Sequence, residues 1–232
     1  MRLWVDKTLA QAGRWLTPAR CQYCRTGTDH LPICADCTAG LPWNQTACPL
    51  CALPQTHTGA CRRCARRAPP FDAAWCAFRM EAPIQQGIHG LKYHARFLQA
   101  RMLGTLMAQA LSQRAGRPEL LIPVPLHRGR LFWRGYNQAL EIARTLAAES
   151  SLQLDADAVR RVRATADQIG TRAAQRRRNV RGAFEAMPRL HGRRIALLDD
   201  VMTTGATLGE LARVCRAAGA IHIEAWAVAR VA

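Results

Sequence analysis

From residue 72 onward, short runs of branched apolar residues alternate with longer stretches in which apolar positions recur every three or four residues. Such alternation predicts βα units and a mostly parallel sheet. Residues 72–78 alternate as a strand. Residues 84–91 begin a helical stretch that resumes after Lys92-Tyr93-His94 and runs over 97–111, and 120–124 is a buried strand. A helix follows from about 137 to 148, with Leu140, Ile142, Ala143 and Leu146 on its apolar side. Residues 195–198 form a further buried strand, a helix over 207–218 is closed by Gly219, and 221–231 is the last strand. The expected fold for residues 71–232 is α/β, with four or five strands in a Rossmann-like, mostly parallel sheet.

The strand over 195–198 runs directly into Asp199 and Asp200, then into Thr203, Thr204, Gly205, Ala206 and Thr207. Open α/β sheets bind ligands at the carboxyl ends of their strands. The hydroxyls and unhindered N–H groups stand at a helix N-terminus, where orphan donors and the helix dipole favour an anion, so a phosphate fits there. The paired carboxylates suit adjacent sugar hydroxyls, or Mg2+ held through water. This order of residues therefore makes a ribose-phosphate cradle.

Ahead of the sheet lies a different pattern. Cys21, Cys24, Cys34 and Cys37 are spaced C-x2-C-x9-C-x2-C, and a shift of 27 residues reproduces the spacing in Cys48, Cys51, Cys61 and Cys64 and carries His30 onto His57. Paired C-x-x-C knuckles present thiolates tetrahedrally to Zn2+. Two structural zinc sites are expected, with the pairing of knuckles left open by the spacing. Four thiolates leave no open position for water, so the metal supplies folding energy of order 10 kcal/mol and no catalysis. The expected organisation is a helix over 1–17, a double four-cysteine zinc-ribbon module over 18–68 and the α/β domain over 71–232, with the boundary at Ala68-Pro69-Pro70.

Charge extends the picture. Formal net charge is +17, and only Lys7 and Lys92 among the cations are not Arg. Eight thiolates on two zinc ions lower it to about +13. Arg favours bidentate phosphate contacts, so the excess points to nucleic acid or polyphosphate ligands. No apolar run reaches the roughly 18 residues that span a bilayer, and residues 1–16 lack the continuous apolar core of a signal peptide, so a cytoplasmic location is expected.

The segment Asp199-Asp200-Val201-Met202-Thr203-Thr204-Gly205-Ala206-Thr207 resembles the PRPP-binding motif of type I phosphoribosyltransferases. Pro123-Val124-Pro125, the run Arg134-Gly135-Tyr136-Asn137-Gln138-Ala139, the segment 168–179 and the C-x-x-C block together resemble the ComF family over nearly the whole chain. The resemblance implies a type I phosphoribosyltransferase fold with an N-terminal double zinc ribbon, and PRPP with Mg2+ on Asp199, Asp200 and residues 203–207. It further implies a pyrophosphate loop of Val124, Pro125, Leu126, Arg128 and Arg134, and a closing lid that carries Arg163, Gln168, Arg177 and Asn179. Its context is natural competence and the handling or uptake of single-stranded DNA, with competence or DNA-processing proteins as partners. Purine-salvage relatives place an acid where this chain has Thr203, which counts against hypoxanthine or guanine as acceptor. Two alternatives stay open: a phosphoribosyltransferase that transfers ribose 5-phosphate from PRPP to an unidentified small base, and a non-catalytic zinc adaptor.

Overall fold

The computed structural model describes residues 20–28, 31–114, 116–164 and 178–232, so the expected N-terminal helix and the positions His30, Gln168 and Arg177 lie outside the described residues. The chain divides into two compact units between Leu41 and Pro42. The first contains the first cysteine quartet and the short helix α1 (Ala35–Ala39), whose N-cap is Cys34. The second carries the other quartet together with the α/β sheet.

In the second unit, α2 (Arg62–Arg66) follows the quartet, and β1 (Ala73–Arg79), α3 (Ile84–His94), α4 (Phe97–Ser112) and β2 (Leu120–Pro123) come next. Then follow α5 (Arg128–Arg134), α6 (Gln138–Ser150), β3 (Gln153–Leu154), β4 (Val159–Arg161) and β5 (Phe184–Ala186). The chain ends with β6 (Arg194–Met202), α7 (Ala206–Ala217) and β7 (His222–Arg230). Five strands pair in the order β1-β7-β6-β2-β3, every pair parallel. The expected α/β class with a mostly parallel sheet is the one observed. β4 and β5 form a separate antiparallel pair.

The inner strand β7, between β1 and β6, is apolar along most of its length; Trp226 is fully buried and meets Trp75 edge-on, with ring centroids 5.2 Å apart. β1 is the outer strand on its side, and the chain just before the second quartet covers its free edge. Asn44 N–H donates to Ala77 O at 2.9 Å, Ala74 N–H to Pro49 O at 2.8 Å and Arg79 N–H to Pro42 O at 2.8 Å. The ribbon thereby satisfies a row of backbone groups that an exposed edge leaves open.

The helical stretch expected over 84–111 is two helices, separated at Ala95, which takes a left-handed conformation (φ 48°). α4 packs against α6 so closely that a Cβ on Gly104 would lie 2.7 Å from Thr145 Cβ and 2.9 Å from Ile142 O. Gly104→Ala is therefore expected to cost about 1–3 kcal/mol, less its gain in helix propensity, and a Tm measured by circular dichroism checks it.

Candidate functional site

The segment 195–198 was expected to end before the carboxylates. β6 instead continues through both of them to Met202. Its partner β2 stops at the pairing Pro123↔Leu198, whereas β7 pairs on through Asp199↔Ala227 and Val201↔Ala229 to Met202↔Arg230. Asp199 and Asp200 are therefore held in extended backbone, with side chains on opposite faces of the sheet.

Asp200 is buried, and its Oδ2 lies 2.8 Å from Lys92 Nζ at the end of α3. Burial pulls the Lys92 ammonium down, but the adjacent Asp200 and Asp199 charges more than offset this and leave it raised. Asp199 faces the other way, and its Oδ1 accepts the Asp200 N–H at 2.9 Å. Burial, then the neighbouring Asp200 charge, pushes the Asp199 carboxyl up to about 7.

After Met202 the chain turns through Thr203 and Thr204 to Gly205, whose φ of 73° is open to glycine without strain, and α7 begins. Thr204 Oγ1 accepts the Ala206 N–H at 3.3 Å. Asp199, Val201, Met202 and residues 203–208 line one small depression at the N-terminus of α7. The structure thus brings Asp199, Thr203, Thr204, Gly205, Ala206 and Thr207 together, while Asp200 stands behind them against Lys92.

Val124, Pro125, Leu126, Arg128 and Arg134 lie at the same end of the sheet. Val124 is buried and its N–H donates to Leu198 O at 2.8 Å, which locks this loop to β6. Arg128 opens α5 and is exposed, whereas Arg134 Nη1 is engaged by Gln138 Oε1 at 2.7 Å. The Tyr136 hydroxyl donates to Leu91 O, and Asn137 Nδ2 donates to Val124 O at 3.0 Å. The run 134–138 is thus a set of struts that fix the loop to α3 and β2. Of the lid residues, Arg163 Nη2 donates to Asn179 O at 3.0 Å and to Arg181 O at 2.6 Å, closing the base of the segment whose middle lies outside the described residues.

One residue at the site was not foreseen. Arg230 ends β7, is 2% exposed, and donates from Nε to Cys51 O at 2.9 Å and from Nη1 to Met202 O at 3.1 Å and Thr203 O at 2.5 Å. A single guanidinium joins the second ribbon to the entrance of the cradle. Its only sequence signal is a cation terminating an apolar strand. Beside it, a cavity of about 740 Å³ lies between the second ribbon and α7, bordered by Phe71 and by Arg63, Arg67, Arg178, Arg181 and Arg213.

The sulfurs of Cys21, Cys24, Cys34 and Cys37 lie within 4.8 Å of one another, as do those of Cys48, Cys51, Cys61 and Cys64. Spacing had left the pairing open; the knuckles pair sequentially. Cys24 Sγ and Cys34 Sγ are 3.5 Å apart, and Cys51 Sγ and Cys61 Sγ 3.7 Å. Four ligands at about 2.3 Å in a tetrahedron require edges of about 3.8 Å, so both quartets fit Zn2+. Backbone N–H groups of Cys37 and Cys61 point at the sulfurs of Cys34 and Cys48, at 3.5 and 3.3 Å, supporting thiolate charge. The second quartet is buried throughout, whereas Cys24 of the first is exposed. Cys76 and Cys215 belong to neither; burial pushes both thiols up to about 12, and they serve the core.

Residues 12–76 match a double zinc ribbon domain. The chain is 34% identical over 221 residues, covering 92% of its length and 97% of the relative, to DNA utilization protein YhgH of Escherichia coli O157:H7. It is 30% identical over 218 residues, 90% of each chain, to competence protein F of Haemophilus influenzae. Among solved structures it is similar to adenine phosphoribosyltransferase from Thermoanaerobacter pseudethanolicus, at 19% identity and a TM-score of 0.36 over 57% of this chain and 70% of that one.

Proposed function

The chain belongs to the ComF-like family of competence and DNA utilization proteins, and we propose that within it this protein binds PRPP at the end of β6 and handles single-stranded DNA. The observation that carries the reading is the depression in which Asp199, Thr203, Thr204 and Thr207 meet the start of α7. In this reading the 5-phosphate takes the N–H groups and hydroxyls of residues 203–207, where the helix dipole favours an anion. The ribose hydroxyls donate to Asp199. A magnesium ion bound with PRPP would neutralise pyrophosphate charge, held by Asp199 directly or through water. Lys92 serves by fixing Asp200 behind the cradle through their ion pair.

The pyrophosphate is assigned to the loop Val124, Pro125 and Leu126 with the exposed Arg128 as its cation; Arg134 shapes the loop through Gln138. Arg163 and Asn179 anchor the lid. Both quartets hold structural zinc. The polymer half of the reading rests on the +17 charge and on the arginine-bordered cavity beside the cradle. It is tested by equilibrium binding of a labelled oligo-dT strand at 50 and 200 mM salt. If four phosphates are neutralised, affinity falls roughly 50-fold across that interval; a flat dependence overturns the electrostatic account.

A further inference from the structure

Helix α5 buries none of its seven residues. Phe132 and Trp133 are 86% and 89% exposed, and Leu131 beside them is 42% exposed. Two aromatic rings in water contribute nothing to the core, and nothing among the described residues covers them. The helix is nevertheless held firmly. His127 caps its start by accepting the Gly129 N–H at 3.2 Å, and Gly135 closes its end at φ 79°. Tyr136 and Asn137 then tie the following turn to Leu91 O and Val124 O. The rings are therefore presented on a fixed support, at the carboxyl end of the sheet where the cradle also lies.

Charge decides what fits against them. Residues 128–134 contain Arg128, Arg130 and Arg134 and no acid. A second copy of this chain would bring the same cations to the same face. A polyanion with flat apolar faces is complementary in both respects, because unpaired bases stack on aromatic rings while arginines meet the backbone.

We propose that the face of α5 carrying Phe132 and Trp133 is a stacking platform for unpaired bases of single-stranded nucleic acid. This rests on the reading of the protein as a single-strand binder and gives that function a location. Duplex bases are already stacked on one another, so the platform selects single strands. It stands next to the ribose-phosphate cradle, so strand and small ligand occupy the same end of the sheet.

The test is titration of the full chain and of the Phe132→Ala/Trp133→Ala variant with fluorescein-labelled oligo-dT at several salt concentrations. Stacking is not ionic, so affinity is expected to fall at least tenfold while the slope of log affinity against log salt stays unchanged. Side chains this exposed leave the fold intact, which an unchanged Tm verifies. Equal strand affinity in wild type and double variant overturns the platform while leaving the broader reading standing; absence of strand binding by wild type overturns both. Equal strand affinity with loss of dimerisation in sedimentation, or with loss of binding to anionic vesicles, overturns it in favour of a self-association face or a lipid face.

Discussion

Cys48→Ser and Cys64→Ser are expected to leave the protein with one zinc per chain and to lower the thermal transition of the sheet-bearing unit sharply, whereas Cys24→Ser loses the other zinc with little effect on that transition. The two quartets share spacing but not surroundings. The second is buried, with Cys48 and Cys51 0% and 3% exposed. Its neighbours Ala52, Phe71 and Ala74 are part of the same apolar cluster as β6 and β7. Its flanking backbone also covers the free edge of β1 through three hydrogen bonds. A structural zinc is worth about 10 kcal/mol of folding energy at pH 7, comparable with the whole stability of a domain. Losing it from the second quartet removes a wall of the core, whereas the first quartet lies in the other unit. Zinc content by mass spectrometry of metals, read beside calorimetric unfolding, separates the two variants; equal destabilisation by both contradicts the assignment of the second quartet to the sheet.

Arg230→Met is expected to weaken PRPP binding at least tenfold while zinc content stays at two per chain. The guanidinium serves four carbonyls, of Cys51, Met202, Thr203 and Val231, and those of Met202 and Thr203 form the entrance to the turn before α7. Methionine fills the volume but donates nothing. Each hydrogen bond from a charged donor is worth about 1.5–3 kcal/mol, and a buried carbonyl left unpaired costs about 1–3 kcal/mol. The expected loss of stability is roughly 3 kcal/mol or more, concentrated at the cradle entrance, because β7 remains paired along its length with β6 and β1. Arg230→Lys restores a charge but not the fork, and is expected to recover only part of the affinity. Calorimetric PRPP titrations of both variants, beside their Tm values, check this; unaltered affinity would make Arg230 a structural residue only.

The elements that could be read in the sequence are those with a clear period or a repeat. The apolar strands over 195–198 and 221–231, the buried Ile142, Ala143 and Leu146 of the stripe read over 137–148, and the duplicated cysteine spacing each state their own environment, whereas Leu140 of that stripe is only half-buried. Short elements without an apolar face were not legible. α5 buries nothing, so its residues follow no periodic pattern, and β3 has two residues. β4 and β5 are three residues each and pair across 22 intervening positions, a link that local pattern does not carry. Within the site, the order of carboxylates, threonines and glycine located the cradle. What it did not contain was long-range: which Asp meets Lys92, and that Arg230 reaches Cys51, 179 positions away. The end of β6 was likewise set by β7 continuing to pair after β2 stopped, which the composition of β6 alone does not encode.

The central claim is that residues 199–207 hold PRPP. Isothermal titration with PRPP and Mg2+ on wild type and Asp199→Asn, at a pH above the raised Asp199 value of about 7, tests it most directly, because this substitution removes the charge facing the cradle and keeps the Asp200–Lys92 ion pair. Wild type is expected to give a saturable heat for one site per chain, with affinity at least tenfold lower in Asp199→Asn, the loss that follows from removing a charged hydrogen-bond acceptor. No saturable heat from wild type would contradict the account.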